Sequence, residues 1–345
     1  MKNDLIFPFS SIVGQDEMKL ALILNTICPT IGGVLIRGEK GTAKSTAVRA
    51  LAGLLPDRKV FKGCTCGCQW GSPETACPEC RDRITAGTQE MDVLPMRVVE
   101  LPLSSTEDRV AGTLDIEHAI TTGKKKFEPG VLAKANGNIL YVDEVNLLDD
   151  HIVDLLLDAA AMGVNYIERE GVSYKHPSRF MLVGTMNPEE GDLRPQLLDR
   201  FGLMVDIKGE YDEAKRSEII RRRMRFEKDP ETFSREFEDS NAEVRRRILE
   251  ARSLITSIEP PDEVLDMAVK VSIHLGVDGH RADITMVKAA CAYAAFEGME
   301  KVRVDDVIRT AKLVLPHRMR RNPFQDSVLD SEGLEAWMKK TASQL

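Results

Sequence analysis

Residues 38–46 read Gly-Glu-Lys-Gly-Thr-Ala-Lys-Ser-Thr. Glycines, a lysine and hydroxyls at this spacing suit one task, wrapping a phosphate chain in backbone N–H groups at the start of a helix. The stretch fits G-x-x-x-x-G-K-[ST] except that Ala43 stands in place of the second glycine. Gly38 and Gly41 permit the tight turn, and the N–H groups of Gly41, Thr42, Ala43, Lys44 and Ser45 are expected to cradle phosphates, with Thr46 following. Lys44 would reach the β and γ phosphates of ATP and Ser45 would ligate Mg²⁺. Alanine takes a positive φ less freely than glycine, so the loop is expected to hold Ala43 at negative φ.

A second constellation ends the run Ile139-Leu-Tyr-Val-Asp143-Glu144. Two carboxylates at the end of a buried strand carry a desolvation cost unless something at that edge uses their charge. Asp143 is expected to hold the Mg²⁺ shell and Glu144 to align and activate the attacking water. The next apolar run ends in Asn187, which either orients that water or caps a turn. Arg200 then follows in Arg-Pro-Gln-Leu-Leu-Asp-Arg-Phe-Gly. It is either a charge-stabilising group offered to a neighbouring subunit or half of a surface pair with Asp199.

A third cluster is sulfur. Cys64, Cys66, Cys68, Cys77 and Cys80 are five of seven cysteines, spaced C-x-C…C-P-E-C. Cys77 and Cys80 with two of the first three could enclose one tetrahedral Zn²⁺; an Fe–S cluster or a plain reduced loop are the alternatives. Cys28 and Cys291 sit in apolar helical contexts and read as core.

The elements that must position these groups alternate. Apolar β-branched runs at 32–38, 96–103, 136–146, 179–188 and 203–209 read as strands, and helical spacing follows Lys44 and spans 148–163. Residues 115–123 read as a short helix, the cysteine segment as a loop insert, and the stretch around 164–178 as a β-hairpin. Strand and helix alternation predicts an α/β class with a parallel sheet. Beyond residue 210 the pattern is helical. The expected division is a core over 1–210, a helical linker over 211–258 and a smaller helical domain over 259–345.

Composition narrows the function classes. With 47 basic and 55 acidic residues the net charge is −8, which argues against nucleic acid or an anionic membrane as the main partner. The basic runs at 221–225, 245–247 and 317–321 read as solvated helix faces. No apolar run approaches a membrane span, and the N-terminus makes a poor signal peptide, so the expected location is cytoplasmic.

The order phosphate loop, Asp-Glu strand, Asn, Arg and helical lid resembles the AAA+ ATPases. Longer phrases, among them "LPLSSTEDRVAGTLDIEHAI", "FEPGVLAKANGNILYVDEVNLLDDHIVDLLLDAAAMGVNYIEREGVSYKHPSRFMLVGTMNPEEGDLRPQLLDRFGL" and "GHRADI", resemble the I-subunit family of the magnesium chelatases. The resemblance implies a P-loop NTPase core with a five-stranded parallel sheet and helices on both faces, plus an all-α lid. It implies a hexameric ring with ATP at subunit interfaces, Arg200 as a trans-acting finger and Arg281 as the lid arginine that senses nucleotide. Residues 63–95 would be a Cys-rich insert, 97–136 the helix-two insert and 164–178 the hairpin before the Asn-bearing strand. It further implies two partners, a related ATPase-like subunit with an adhesion domain and a large porphyrin-binding subunit that inserts the metal. The sequence carries no integrin-type D-x-S-x-S motif, so tetrapyrrole handling is expected of the partners. Ala43 and the dense cysteines depart from the family pattern. They leave a cobaltochelatase motor for corrinoid synthesis and a MoxR-like remodeller of metalloproteins as alternatives, with a nucleotide-gated scaffold as the non-enzymatic one.

Overall fold

The computed structural model describes residues 6–115, 126–169, 172–319 and 331–342. Its strands in chain order are β1 (Val34–Gly38), β2 (Arg58–Phe61), β3 (Met91–Leu94), β4 (Val98–Glu100), β5 (Gly112–Asp115), β6 (Lys126–Pro129), β7 (Ile139–Val142), β8 (Val164–Arg169), β9 (Val172–Pro177), β10 (Met181–Met186) and β11 (Leu203–Ile207). Five of them form a sheet ordered β11-β1-β10-β7-β4. The five apolar runs of the sequence become these strands, each shorter than its run, because a strand flanked on both faces needs apolar residues at every position. β7 and β10 are buried throughout.

The chain divides into two compact units, residues 1–43 with 192–345, and residues 44–191. In the first, β1 and β11 pair in parallel from Val34↔Leu203 to Gly38↔Ile207. Gly38 is dictated by that approach, since a Cβ there would lie 2.3 Å from the Ile207 carbonyl oxygen. The helices Asp262–His274, Arg281–Phe296 and Val304–Val314 bury Met267, Val271, Met286, Ala289, Val307 and Leu313 among the unit's core residues. The arginine-rich helix Glu213–Lys228 buries no residue, and Arg246 bridges Glu243 and Glu250, so these two basic runs are the solvated faces expected. The third run is not, as Arg318 is buried.

In the second unit β4, β7 and β10 pair in parallel, with Met181↔Ile139 and Val98↔Ile139 in register. Helix Asp150–Met162 buries Ile152, Val153, Leu156 and Leu157 and ends at Gly163, whose φ of 67° is the left-handed turn a C-terminal glycine supplies. β8 and β9 form the expected hairpin, with its turn at 170–171 outside the described residues. Two local expectations change. The cysteine segment is no loop: β2 and β3 frame it as an antiparallel pair, and it contains the helix Pro78–Thr85. Asp115 closes β5, paired antiparallel with β6, and the rest of the expected 115–123 helix lies outside the described residues. Cys291 is buried and Cys28 half-buried. Among the described residues no helix is long and apolar enough to cross a membrane.

Each unit encloses a neutral histidine. His176 accepts from the Asn165 amide at 3.0 Å through Nε2, which leaves its proton on Nδ1 to donate to the Pro177 carbonyl at 2.9 Å. His317 donates from Nε2 to the Phe201 carbonyl at 2.9 Å. Burial pushes both imidazoles below their ordinary value, His317 well below. The unfolded chain takes up these protons near pH 6.5 and the folded chain does not, so stability present above pH 6.5 is lost as pH falls toward the folded values. The expected slope is up to about 1.4 kcal/mol per pH unit per histidine. Urea unfolding between pH 7.5 and 5.5 measures it, and a flat profile would contradict both burials.

Candidate nucleotide site and cysteine cluster

The phosphate loop turns into helix Lys44–Leu54 through two left-handed residues, Gly41 at φ 83° and Ala43 at φ 60°. The expectation of a negative φ at Ala43 is therefore wrong. Alternating backbone handedness is what points successive N–H groups into one concavity, and the loop keeps that geometry although a Cβ is present. An alanine held there costs about 1–2 kcal/mol. Thr42 Oγ1 ties the loop by donating to the Glu39 carbonyl at 2.9 Å. Lys44, Ser45 and Thr46 open the helix in the second unit, while Gly38 and Gly41–Ala43 belong to the first.

At the end of β7, Asp143 is fixed by two hydroxyls. Tyr141 donates to Oδ1 at 2.9 Å and Thr185, from β10, donates to the same oxygen at 2.6 Å. Burial pushes the Tyr141 phenol up, which keeps it a donor. Both bonds fall on one oxygen, Oδ1. Glu144 is the third non-glycine residue with positive φ, at φ 52° and ψ 52°, and its N–H donates to Thr185 Oγ1 at 3.1 Å. That turn swings its carboxylate off the strand direction; strain of this kind concentrates where a side chain must be aimed. Asn187 lies just past β10, is buried, and accepts from the Glu189 N–H at 3.3 Å through Oδ1. It is thus a turn cap, and the cap fixes which end of its amide remains for a ligand. Asp143, Glu144 and Asn187 all lie in residues 44–191, as do Lys44 and Ser45. Hydroxyl and carboxylate oxygens are the donor set Mg²⁺ prefers, so Ser45 and Asp143 fit it.

Arg200 and Arg281 belong to the first unit. Asp199, next to Arg200, accepts from Arg281 at 2.7 Å. The residue that sequence reading missed is Arg318, whose side chain is 1% exposed. It donates to Asp199 Oδ1 at 3.2 Å and to the carbonyls of Asp199 at 3.1 Å, Phe201 at 2.5 Å, Gly202 at 3.0 Å and Val314 at 2.6 Å. Every N–H of its guanidinium is used, four on the turn 199–202 that carries Arg200. Burial lowers it to about 10, so it remains charged at neutral pH. Gly202 completes this packing, since a Cβ there would lie 2.1 Å from the Ile31 carbonyl oxygen. The one sequence signal was position: Arg318 follows the apolar run Leu313-Val314-Leu315, where a solvated arginine is out of place.

In the second unit Cys64, Cys68, Cys77 and Cys80 bring their sulfurs within 4.8 Å of one another. Cys66 is buried beside them but outside that set. Backbone N–H groups point at the sulfurs, from Cys68 to Cys64 at 3.5 Å and from Cys77 to Cys68 at 3.2 Å. Donation from the neighbouring thiols, Cys64 first, holds the Cys77 thiol below its usual range.

Residues 89–201 match the AAA domain (dynein-related subfamily) and residues 265–337 the AAA lid domain. A magnesium-chelatase subunit ChlI homolog of Methanocaldococcus jannaschii is 56% identical, covering 98% of this chain and 92% of its own. The magnesium-chelatase 38 kDa subunit of Rhodobacter capsulatus is 48% identical over 98% and 94%. A solved chain from a complex between subunits BchI and BchD of magnesium chelatase is 48% identical, with a TM-score of 0.56, covering 92% of this chain and 98% of its own.

Substitutions at two positions test the geometry. Arg318→Lys keeps charge but cannot reproduce the fork, and is expected to cost about 3–5 kcal/mol of unfolding free energy. Ala43→Gly relieves left-handed strain while loosening the unfolded chain by about 0.4–1 kcal/mol, so it should be close to neutral, whereas β-branched Ala43→Val should not be tolerated. Denaturant midpoints read both.

Proposed function

Because this chain belongs to the magnesium-chelatase I-subunit family, with an AAA+ ATPase core, we propose that it is the ATP-hydrolysing motor of magnesium chelatase. The observation that carries the catalytic assignment is the end of β7, where Asp143 is pinned by Tyr141 and Thr185 and Glu144 is turned aside at positive φ. Mg²⁺ bound with ATP neutralises phosphate charge. Around it, Lys44 and the N–H groups of residues 41–45 hold the phosphates, and Ser45 with Asp143 supplies oxygen ligands. Glu144 takes the proton of the attacking water and Asn187 orients that water.

Arg200 serves the neighbouring subunit's site in a ring of six, and Arg281 reports nucleotide to the lid. The BchI–BchD complex among its solved relatives supports a BchD-like partner, which this reading takes to be the related ATPase-like subunit with an adhesion domain. In this reading a large partner subunit holds the porphyrin and inserts the metal, which is substrate and is not bound by this chain. The reading includes a resident structural Zn²⁺ in the cysteine insert and a cytoplasmic location. The alternatives, a cobaltochelatase motor for corrinoid synthesis and a MoxR-like remodeller, are told apart from it by the partner stimulated.

Glu144→Gln is expected to lower ATP turnover by about 10²-fold or more while ATP still binds; unchanged turnover would sink the catalytic assignment. In mixtures with Lys44→Ala chains, activity should fall more steeply than the mutant fraction, because sites are shared; strict proportionality means independent subunits. Reconstitution with chelatase large subunits should give Mg²⁺ insertion, and Co²⁺ insertion alone would move the assignment to the corrinoid pathway.

A further inference from the structure

The segment between β2 and β3 has almost no hydrocarbon to hold it. Its buried core is Phe61, Cys66, Cys68, Ala76, Cys77 and Cys80, joined by Ala133, with Cys64, Trp70, Ile84 and Phe127 at the rim. A module of fewer than about 40 residues rarely buries enough apolar surface to stand without a metal or disulfides. The cysteines here are all free thiols.

Geometry separates the ions that four thiolates accept. A tetrahedron with Zn–S bonds near 2.3 Å has edges of about 3.8 Å. Cys64 and Cys77 are 3.8 Å apart, and no pair among the four exceeds 4.8 Å. A polynuclear cluster spreads its thiolates over separate irons and needs wider spacing. Cys66, in the middle of C-x-C-x-C, is the spare thiol.

Two ties run from this module toward the strand that ends at the catalytic residues. Glu79, between Cys77 and Cys80, accepts the Tyr174 hydroxyl at 3.0 and 2.8 Å on its two oxygens. Tyr174 stands on β9, is buried, and stacks on Phe127 with ring centroids 4.5 Å apart. Phe127 packs against the cysteine core on one side and the hairpin core of Leu114, Ile167 and Tyr174 on the other. The second tie is Asn136, buried, whose amide donates to the Cys66 carbonyl at 2.8 Å while its oxygen accepts the Arg179 N–H at 3.0 Å. Arg179 directly precedes Phe180 and β10, which carries Thr185 and leads to Asn187.

We propose that Cys64, Cys68, Cys77 and Cys80 bind one Zn²⁺, and that this ion clamps the hairpin β8–β9 and the entry to β10 through Glu79–Tyr174 and Asn136. The inference rests on the resident-zinc reading above and makes the ion a positioning element of the ATPase unit. Glu79 is placed by the two ligands that flank it, so losing the ion frees the acceptor that holds Tyr174.

The test uses the full chain purified without chelators. Metal analysis should find about one Zn per chain, retained in Cys66→Ser and lost in Cys77→Ser. Replacement by Co²⁺ should give the absorption of a tetrahedral tetrathiolate site. Tyr174→Phe should keep the ion yet speed amide hydrogen exchange in residues 172–177 by at least about tenfold, the loss of a hydrogen bond to a charged acceptor. Absence of bound metal, or one equivalent of iron in its place, overturns the zinc site. Equal metal loss in Cys66→Ser and Cys77→Ser overturns the ligand set. Zinc retained with unchanged exchange in Tyr174→Phe overturns the clamp. Metal content and exchange are read independently of turnover, so these results stand apart from the outcome for Glu144→Gln.

Discussion

β7 is buried at all four of its residues, and the next two positions are carboxylates. That adjacency sets the constraint for the surrounding unit. A charge at the mouth of an apolar layer is tolerable only where donors fix it and an opposite charge is due to arrive. Tyr141 and Thr185 provide the donors from the same two strands that create the apolar layer. The parallel register that places Gly184 opposite Val142 also places Thr185 beside Asp143. One pairing thus serves both the core and the site, and a one-residue slip would carry the Thr185 hydroxyl away from the carboxylate.

Much of this was legible in the sequence, for a physical reason. Strands covered on both faces must be apolar at consecutive positions, and the interruptions by Asp143–Glu144 and Asn187 mark where they reach the ligand edge. The pair β2–β3 left no such trace because its residues are mostly exposed or half-buried, and four residues of Met-Asp-Val-Leu carry no period of their own. Backbone conformation was misjudged at Ala43, where local preference says negative φ and the demands of a phosphate-facing turn win. Arg318 was misjudged for the converse reason. Composition assigns arginines to the surface, and only the tertiary arrangement of four nearby carbonyls makes this one an interior residue.

Sequence identity near half over almost the entire chain carries the family, yet the region between β2 and β3 carries a chemistry of its own. Its thiols lie in residues 64–80, within the second unit. They face Glu79, Phe127 and Asn136, which are structural neighbours.

The buried guanidinium of Arg318 has a consequence for how the first unit can move. A side chain with four donors committed to carbonyls and the fifth to a carboxylate behaves as a rivet and not as a hinge, because any partial opening strands a charge away from water. Residues 314–318 and the turn 199–202 must then travel together. A displacement that begins at the end of helix Val304–Val314 reaches the backbone on both sides of Arg200 with little slack, so the lid and the arginine act as one lever arm.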